Sequence, residues 1–102
     1  MAVYTPPRAP GRTATYTLAD DASQTLKDAS AGFGFASVDN GEEYAFFAFF
    51  TDGSVHEIGM GSANIDFTDS DGNFCVYDTG TQVAMKNRLG SEKSITVMIF
   101  YL

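Results

Sequence analysis

The sequence predicts an all-β fold: a single antiparallel β-sandwich of jelly-roll-like form over residues 13–102, preceded by an extended N-terminal arm over residues 1–12. Three observations lead there. Apolar residues recur with period two in short segments rather than with helical spacing. Clusters of Gly, Asp, Asn and Ser separate those segments at short intervals, the habit of sandwiches and barrels. The first eighteen residues hold all three prolines and no acid, whereas residues 19–82 hold twelve acids against the single cation Lys27.

The arm is read from what it lacks. Pro6, Pro7 and Pro10 disfavour helix and ladder pairing, and few large apolar residues accompany them. Such a segment is either a frayed end or a docking element that lies extended on a partner. In the docking reading Arg8 and Arg12 fork onto carboxylates while Val3 and Tyr4 supply apolar anchors.

The elements of the body follow in order. Thr13–Leu18 places Ala14, Tyr16 and Leu18 on one face. Ala22–Ala29 is the one helix candidate, and eight residues are marginal for a helix. Gly32–Val38 alternates Gly with Phe33 and Phe35, a spacing that admits a neighbouring ring or backbone at the glycines. Asp39-Asn40-Gly41 is a hairpin turn, because Asn-Gly tolerates the positive φ of a type I′ turn. Tyr44–Phe50 is apolar on both faces, so it belongs at the centre of a sandwich or beneath a neighbouring subunit. Val55–Met60 and Asn64–Thr68 are shorter strands, and Asp69-Ser-Asp-Gly-Asn73 is read as the turn into Phe74–Tyr77. Gln82–Asn87 and Ser94–Tyr101 form a last predicted hairpin. The final strand ends on Ile99-Phe-Tyr-Leu102 with no polar tail, so it is either a central strand of its own sheet or a subunit interface.

Composition narrows the function. At 102 residues the chain is one domain. A net charge of −7 argues against nucleic acid as a partner of the body, since phosphate binding rests on clustered Lys and Arg. Cys75, the one cysteine, excludes an intramolecular disulfide and a multi-cysteine metal site. The N-terminus lacks the apolar stretch of a secretory signal, and the longest apolar runs fall far short of the ~20 residues of a membrane helix. The expectation is a soluble protein with no membrane partner.

No group of residues reads as catalytic, and no cofactor is expected. His56 is the only histidine, and Glu57 beside it points to the opposite strand face. No Gly-x-Ser-x-Gly motif accompanies Ser54 or Ser62. Asp66, Asp69, Asp71 and Asp78 surround a turn, but the calcium-loop pattern anchored on Gly72 would put Phe67 at the first ligand position and Asp78 at the twelfth. The acids therefore read as a solvated turn, and no metal site is assigned. Cys75, between Phe74 and Val76, reads as buried and inert.

Several segments together resemble small structural proteins of tailed-bacteriophage virions. They are Leu18-Ala-Asp-Asp-Ala-Ser-Gln-Thr-Leu26, Gly32-Phe-Gly-Phe35, the acidic turn ending Phe74-Cys-Val-Tyr-Asp78, and Lys86-Asn-Arg-Leu-Gly90 before a hydrophobic last strand. The resemblance spans most of residues 17–102 and leaves the arm uncovered. It implies a compact, non-enzymatic β domain made in the host cytoplasm and located in the virion, used as capsid decoration, head fibre or tail module, often as a homotrimer. The expected partners are a major capsid protein or another virion protein, with the chain docked through its arm. The expected self-association surface is Tyr44, Phe47, Phe49, Ile99, Phe100, Tyr101 and Leu102. The chain has no long shaft, which favours a small accessory subunit over a full tail fibre. The alternative is a head-fibre or tail module that binds a host-surface glycan through exposed aromatics.

Overall fold

A computed structural model describes residues 11–26 and 31–102. They form nine strands: β1 (Gly11–Leu18), β2 (Ser23–Thr25), β3 (Gly32–Val38), β4 (Tyr44–Phe49), β5 (Val55–Met60), β6 (Ile65–Asp66), β7 (Phe74–Asp78), β8 (Val83–Asn87) and β9 (Lys93–Tyr101). These build two sheets, ordered β1-β9-β3-β4-β5 and β2-β8-β7-β6, antiparallel throughout except for the short parallel pair β6 and β7. The protein is an all-β sandwich. Pairing of β1 with β9 and of β2 with β8 winds the outer strands as a jelly roll does, while β3, β4 and β5 run as a simple meander in one sheet. Among the described residues there is no helix, so none long and apolar enough to cross a membrane.

The strands form where period two allows each to bury one face. Phe47, Phe49, Ile95 and Val97 from the first sheet meet Phe74, Val76 and Met85 from the second, all at most 2% exposed. On β3 it is the small residues that face inward. A Cβ on Gly34 would lie 2.6 Å from the Phe47 ring and 2.9 Å from Ile99 Cδ1, so the missing side chain is the space those groups fill. The ring-filling role expected of these glycines is thus observed.

Several local expectations shift. Positive φ falls on Asp39 (52°) and Asn40 (55°), with Gly41 N–H donating to Val38 O at 2.9 Å. The β3–β4 turn is therefore centred one residue before Asn-Gly. Asp39 is held by its own carboxylate, which accepts from Ser94 N–H at 2.9 Å. Gly11 and Arg12, assigned to the arm, pair with Phe100 and Ile99. Beyond Pro10 every residue keeps an N–H, so β9 can extend its ladder to them.

The helix expected over Ala22–Ala29 is corrected for its described part. Ser23–Thr25 pairs with Lys86, Met85 and Ala84 of β8, and Leu26 enters the core. Eight residues are too few to nucleate a helix against an available strand edge. Residues 27–29 of that candidate lie outside the described residues.

The last hairpin is also corrected, because β8 and β9 lie in different sheets. The reason is Asn87. Its side chain is fully buried, the one such polar group among the described residues. Its Nδ2 donates to Leu18 O at 2.9 Å and Ser91 O at 2.8 Å, and its Oδ1 accepts from Leu89 N–H at 3.0 Å. These bonds fasten the end of β8 to the end of β1 and turn the chain across the sandwich. Finally, β6 does not make a hairpin with β7. Parallel pairing leaves residues 67–73 as a crossover that folds back over Cys75.

Candidate functional site

The expected self-association residues divide between the two faces of the first sheet. Phe47, Phe49 and Ile99 are buried in the core at 0%, 1% and 8% exposure, so they are not interface residues of the folded protomer. Tyr101 packs partly against that core, edge-on to Phe49. Tyr44 and Phe100 lie on the outward face, and Leu102 is exposed at the end of the chain. The error has a physical source. Tyr44–Phe50 and Ile99–Leu102 are apolar at consecutive positions, so period two cannot say which half turns in. Val3, Tyr4 and Arg8 lie outside the described residues, and Arg12 stands in β1.

The outward face of the five-stranded sheet joins Tyr44 and Phe100 to Phe33, Phe35 and Phe46, which the sequence reading left out of the expected self-association surface. β3 turns its glycines inward and therefore its phenylalanines outward, leaving Phe33 40% and Phe35 37% exposed. Register sets Phe33 beside Phe100 of β9 and Phe35 beside Phe46 of β4. Phe33 and Phe100 stack at 5.0 Å between centroids, and Phe35 and Tyr44 stack at 5.2 Å. Phe46 meets Phe33 and Phe35 edge-on at 6.1 and 6.4 Å, linking the two pairs into one layer of five rings. Ring pairs of this geometry hold each other beyond the area they bury, so the layer is pre-organised. The inverted strand, small residues in and large residues out, was the available signal for it.

Four of the five strands carry no charge on this face. Their outward positions are Thr13, Thr15 and Thr17 on β1; Ser94, Thr96, Met98 and Phe100 on β9; Phe33, Phe35 and Ser37 on β3; and Tyr44, Phe46 and Ala48 on β4. None of these is Asp, Glu, Lys or Arg, in a chain with thirteen acids and six Lys or Arg; the exposed His56 and Glu57 stand on the edge strand β5. Beside Phe35 the surface dips into an open depression of about 340 Å³ lined by Phe35, Ser37, Asn40, Gly41, Thr96 and Met98.

The acids gather in turns, and those nearest the second sheet are tied internally. Arg88 reaches Asp21 at 3.1 Å, Asp69 at 3.2 Å and Asp71 at 3.6 Å, while Lys86 reaches Asp69 at 3.3 Å. Asp66 accepts from Ser70 Oγ at 2.7 Å and from Thr68 Oγ1 at 3.1 Å. The Ser70 hydroxyl, ahead of Thr68, holds the Asp66 carboxyl below the usual carboxylate range. At Asp69 desolvation opposes ionisation, but Lys86 and Arg88 prevail and lower it. The hydrogen bond to Asp21 leads in raising the Arg88 guanidinium. These carboxylates serve the fold of the 66–73 crossover.

Cys75 is buried beneath that crossover, with Sγ 3.4 Å from Ser70 N and 3.3 Å from Ser70 O. Burial pushes its thiol up, away from the reactive thiolate. His56 is exposed on the edge strand β5, with its ring edge-on to Phe50 at 5.4 Å. Ser54, two residues before it, gives its backbone N–H to Asp52 at 2.9 Å. No family model matches the chain, and neither a curated protein nor a solved structure is significantly similar to it.

Proposed function

We propose that this protein is a non-enzymatic structural subunit of a tailed-bacteriophage virion, used as a capsid decoration or cement. The observation that carries the reading is the separation of surfaces on one small body. An uncharged layer of rings occupies one sheet face, and most of the described acids lie in turns outside it. Exposed apolar area of this kind marks assembly surfaces. The segmental resemblance to small phage structural proteins supplies the class of assembly.

In this reading the arm, residues 1–10, docks on the major capsid protein or another virion protein, with Arg8 pairing with carboxylates there. Cement of this kind adds buried area across joints of the shell, and an extended segment covers much surface per residue. The homotrimer expected of such subunits rests on the resemblance alone. A head-fibre or tail module is the second reading. It is favoured by the depression beside Phe35, where Ser37, Asn40 and Thr96 border an aromatic wall that a host-surface glycan could stack on.

Gradient-purified virions from the replicon that encodes the chain, analysed by quantitative mass spectrometry, test the proposal. The chain should be present at a fixed copy number per capsid protein, and deleting residues 2–10 should remove it from the particles. Recovery only in the particle-free fraction would end the virion reading. Location on tails alone, with retention by glycan-bearing beads, would move the second reading ahead.

A further inference from the structure

We infer that the outward face of the β1-β9-β3-β4-β5 sheet is the contact between two copies of this chain, packed face to face. The inference is independent of where the protein is located. Charge selects the occupant first. A partner recognised by charge finds little to read on this face, because no Asp, Glu, Lys or Arg stands on the outward positions of β1, β9, β3 and β4. The complementary surface must be equally neutral and apolar, and a second copy of this face meets that requirement.

Area agrees. Five strands at about 4.8 Å spacing and six residues at about 3.3 Å each give a plane of roughly 480 Å² per copy. Two such planes approach the ~1,000 Å² that a specific contact requires before side-chain relief is added. The face also offers room for a ring: it carries the stacked Phe33 and Phe100, and the depression of about 340 Å³ beside Phe35 and Met98 is large enough for an aromatic side chain. One face meeting its own copy is isologous, so the assembly closes at two.

Each copy carries −7, and most of its described acids lie in turns outside the ring layer. The pair therefore forms against a net repulsion that salt screens. Association should tighten with salt, by about tenfold in dissociation constant from about 50 mM to about 500 mM. An arginine-to-carboxylate contact would show the opposite sign.

Sedimentation equilibrium of the full-length chain at the two salt concentrations tests this. Two copies, tighter at high salt, is the expected result. Met98→Lys places a cation near the centre of the face and should weaken association at least tenfold. Thr15→Lys does the same from an exposed position on edge strand β1, where folding is not at stake, so it decides the matter if Met98→Lys unfolds. A monomer at micromolar concentration in high salt, a closed trimer, association that weakens with salt, or a Thr15→Lys protein that associates like the parent each overturns the inference.

Discussion

Replacing Asn87 by Ala should destabilise the protein more than other polar-to-Ala changes among the described residues. The side chain is fully buried and joins the two sheets. Truncation strips the donor from Leu18 O and Ser91 O, both within 2.9 Å, and the acceptor from Leu89 N–H. A buried group left without its partner costs roughly 1–3 kcal/mol. Three such groups, partly relaxed, give a loss of about 3–5 kcal/mol. Set against a total stability of ~5–15 kcal/mol, that is a large fraction. At ~4–8 °C per kcal/mol for a domain of this size, the melting temperature should fall by about 15–30 °C.

Asn87→Asp should be at least as harmful at neutral pH, since an ionised carboxylate would face two carbonyl oxygens. It should recover in part under mild acid, where the protonated group regains one donor. Urea titration followed by far-ultraviolet circular dichroism, with the exposed change Gln82→Ala as control, measures both effects. A loss below about 1 kcal/mol for Asn87→Ala would refute the claim that this residue fastens the sheets.

Three further outcomes are expected. Gly34→Val should cost about 1–3 kcal/mol in chemical denaturation, because its Cβ alone would lie 2.6 Å from the fully buried Phe47 ring; an unchanged midpoint would show that β3 does not depend on the inward glycine. The Asp66 carboxyl is held low in the folded state, so its contribution is present at neutral pH and is lost as pH falls below about 4 through the folded value; Asp66→Asn should be less stable near neutrality and flatter in a melting-temperature profile from pH 6 to pH 3, and parallel profiles would refute this. Cys75 should react with iodoacetamide only as fast as the chain unfolds, since it is buried with a raised pKa; rapid labelling under native conditions would contradict its place beneath the crossover.

Strands with clean alternation or strong turn chemistry were legible in the sequence, as Gly32–Val38 and its Asp39–Gly41 turn show. What escaped was information carried by distant partners. Ser23–Thr25 has no strand pattern of its own and is a strand because the edge of β8 is available to it. Asn87 looks like any polar residue near a turn, yet its side-chain hydrogen bonds send β9 into the other sheet. The site escaped for a related reason. In Tyr44–Phe50 every position is apolar, so the sequence cannot tell that Phe47 and Phe49 turn in while Tyr44 and Phe46 turn out. Gly32 and Gly34 held the answer, because glycines that admit rings must face the core and so turn Phe33 and Phe35 to solvent.

Two methionines of similar exposure test the central claim, that the ring-bearing face is covered when the protein is at work. Met98 is 39% exposed on the outward face, and Met60 is 44% exposed on edge strand β5, where its partner Ala45 faces the core. Peroxide oxidation of the full-length protein, read by mass spectrometry across a concentration series in high salt, compares them within one molecule. Met98 should become protected as concentration rises while Met60 oxidises at a constant rate. Equal rates for both at every concentration would contradict the account.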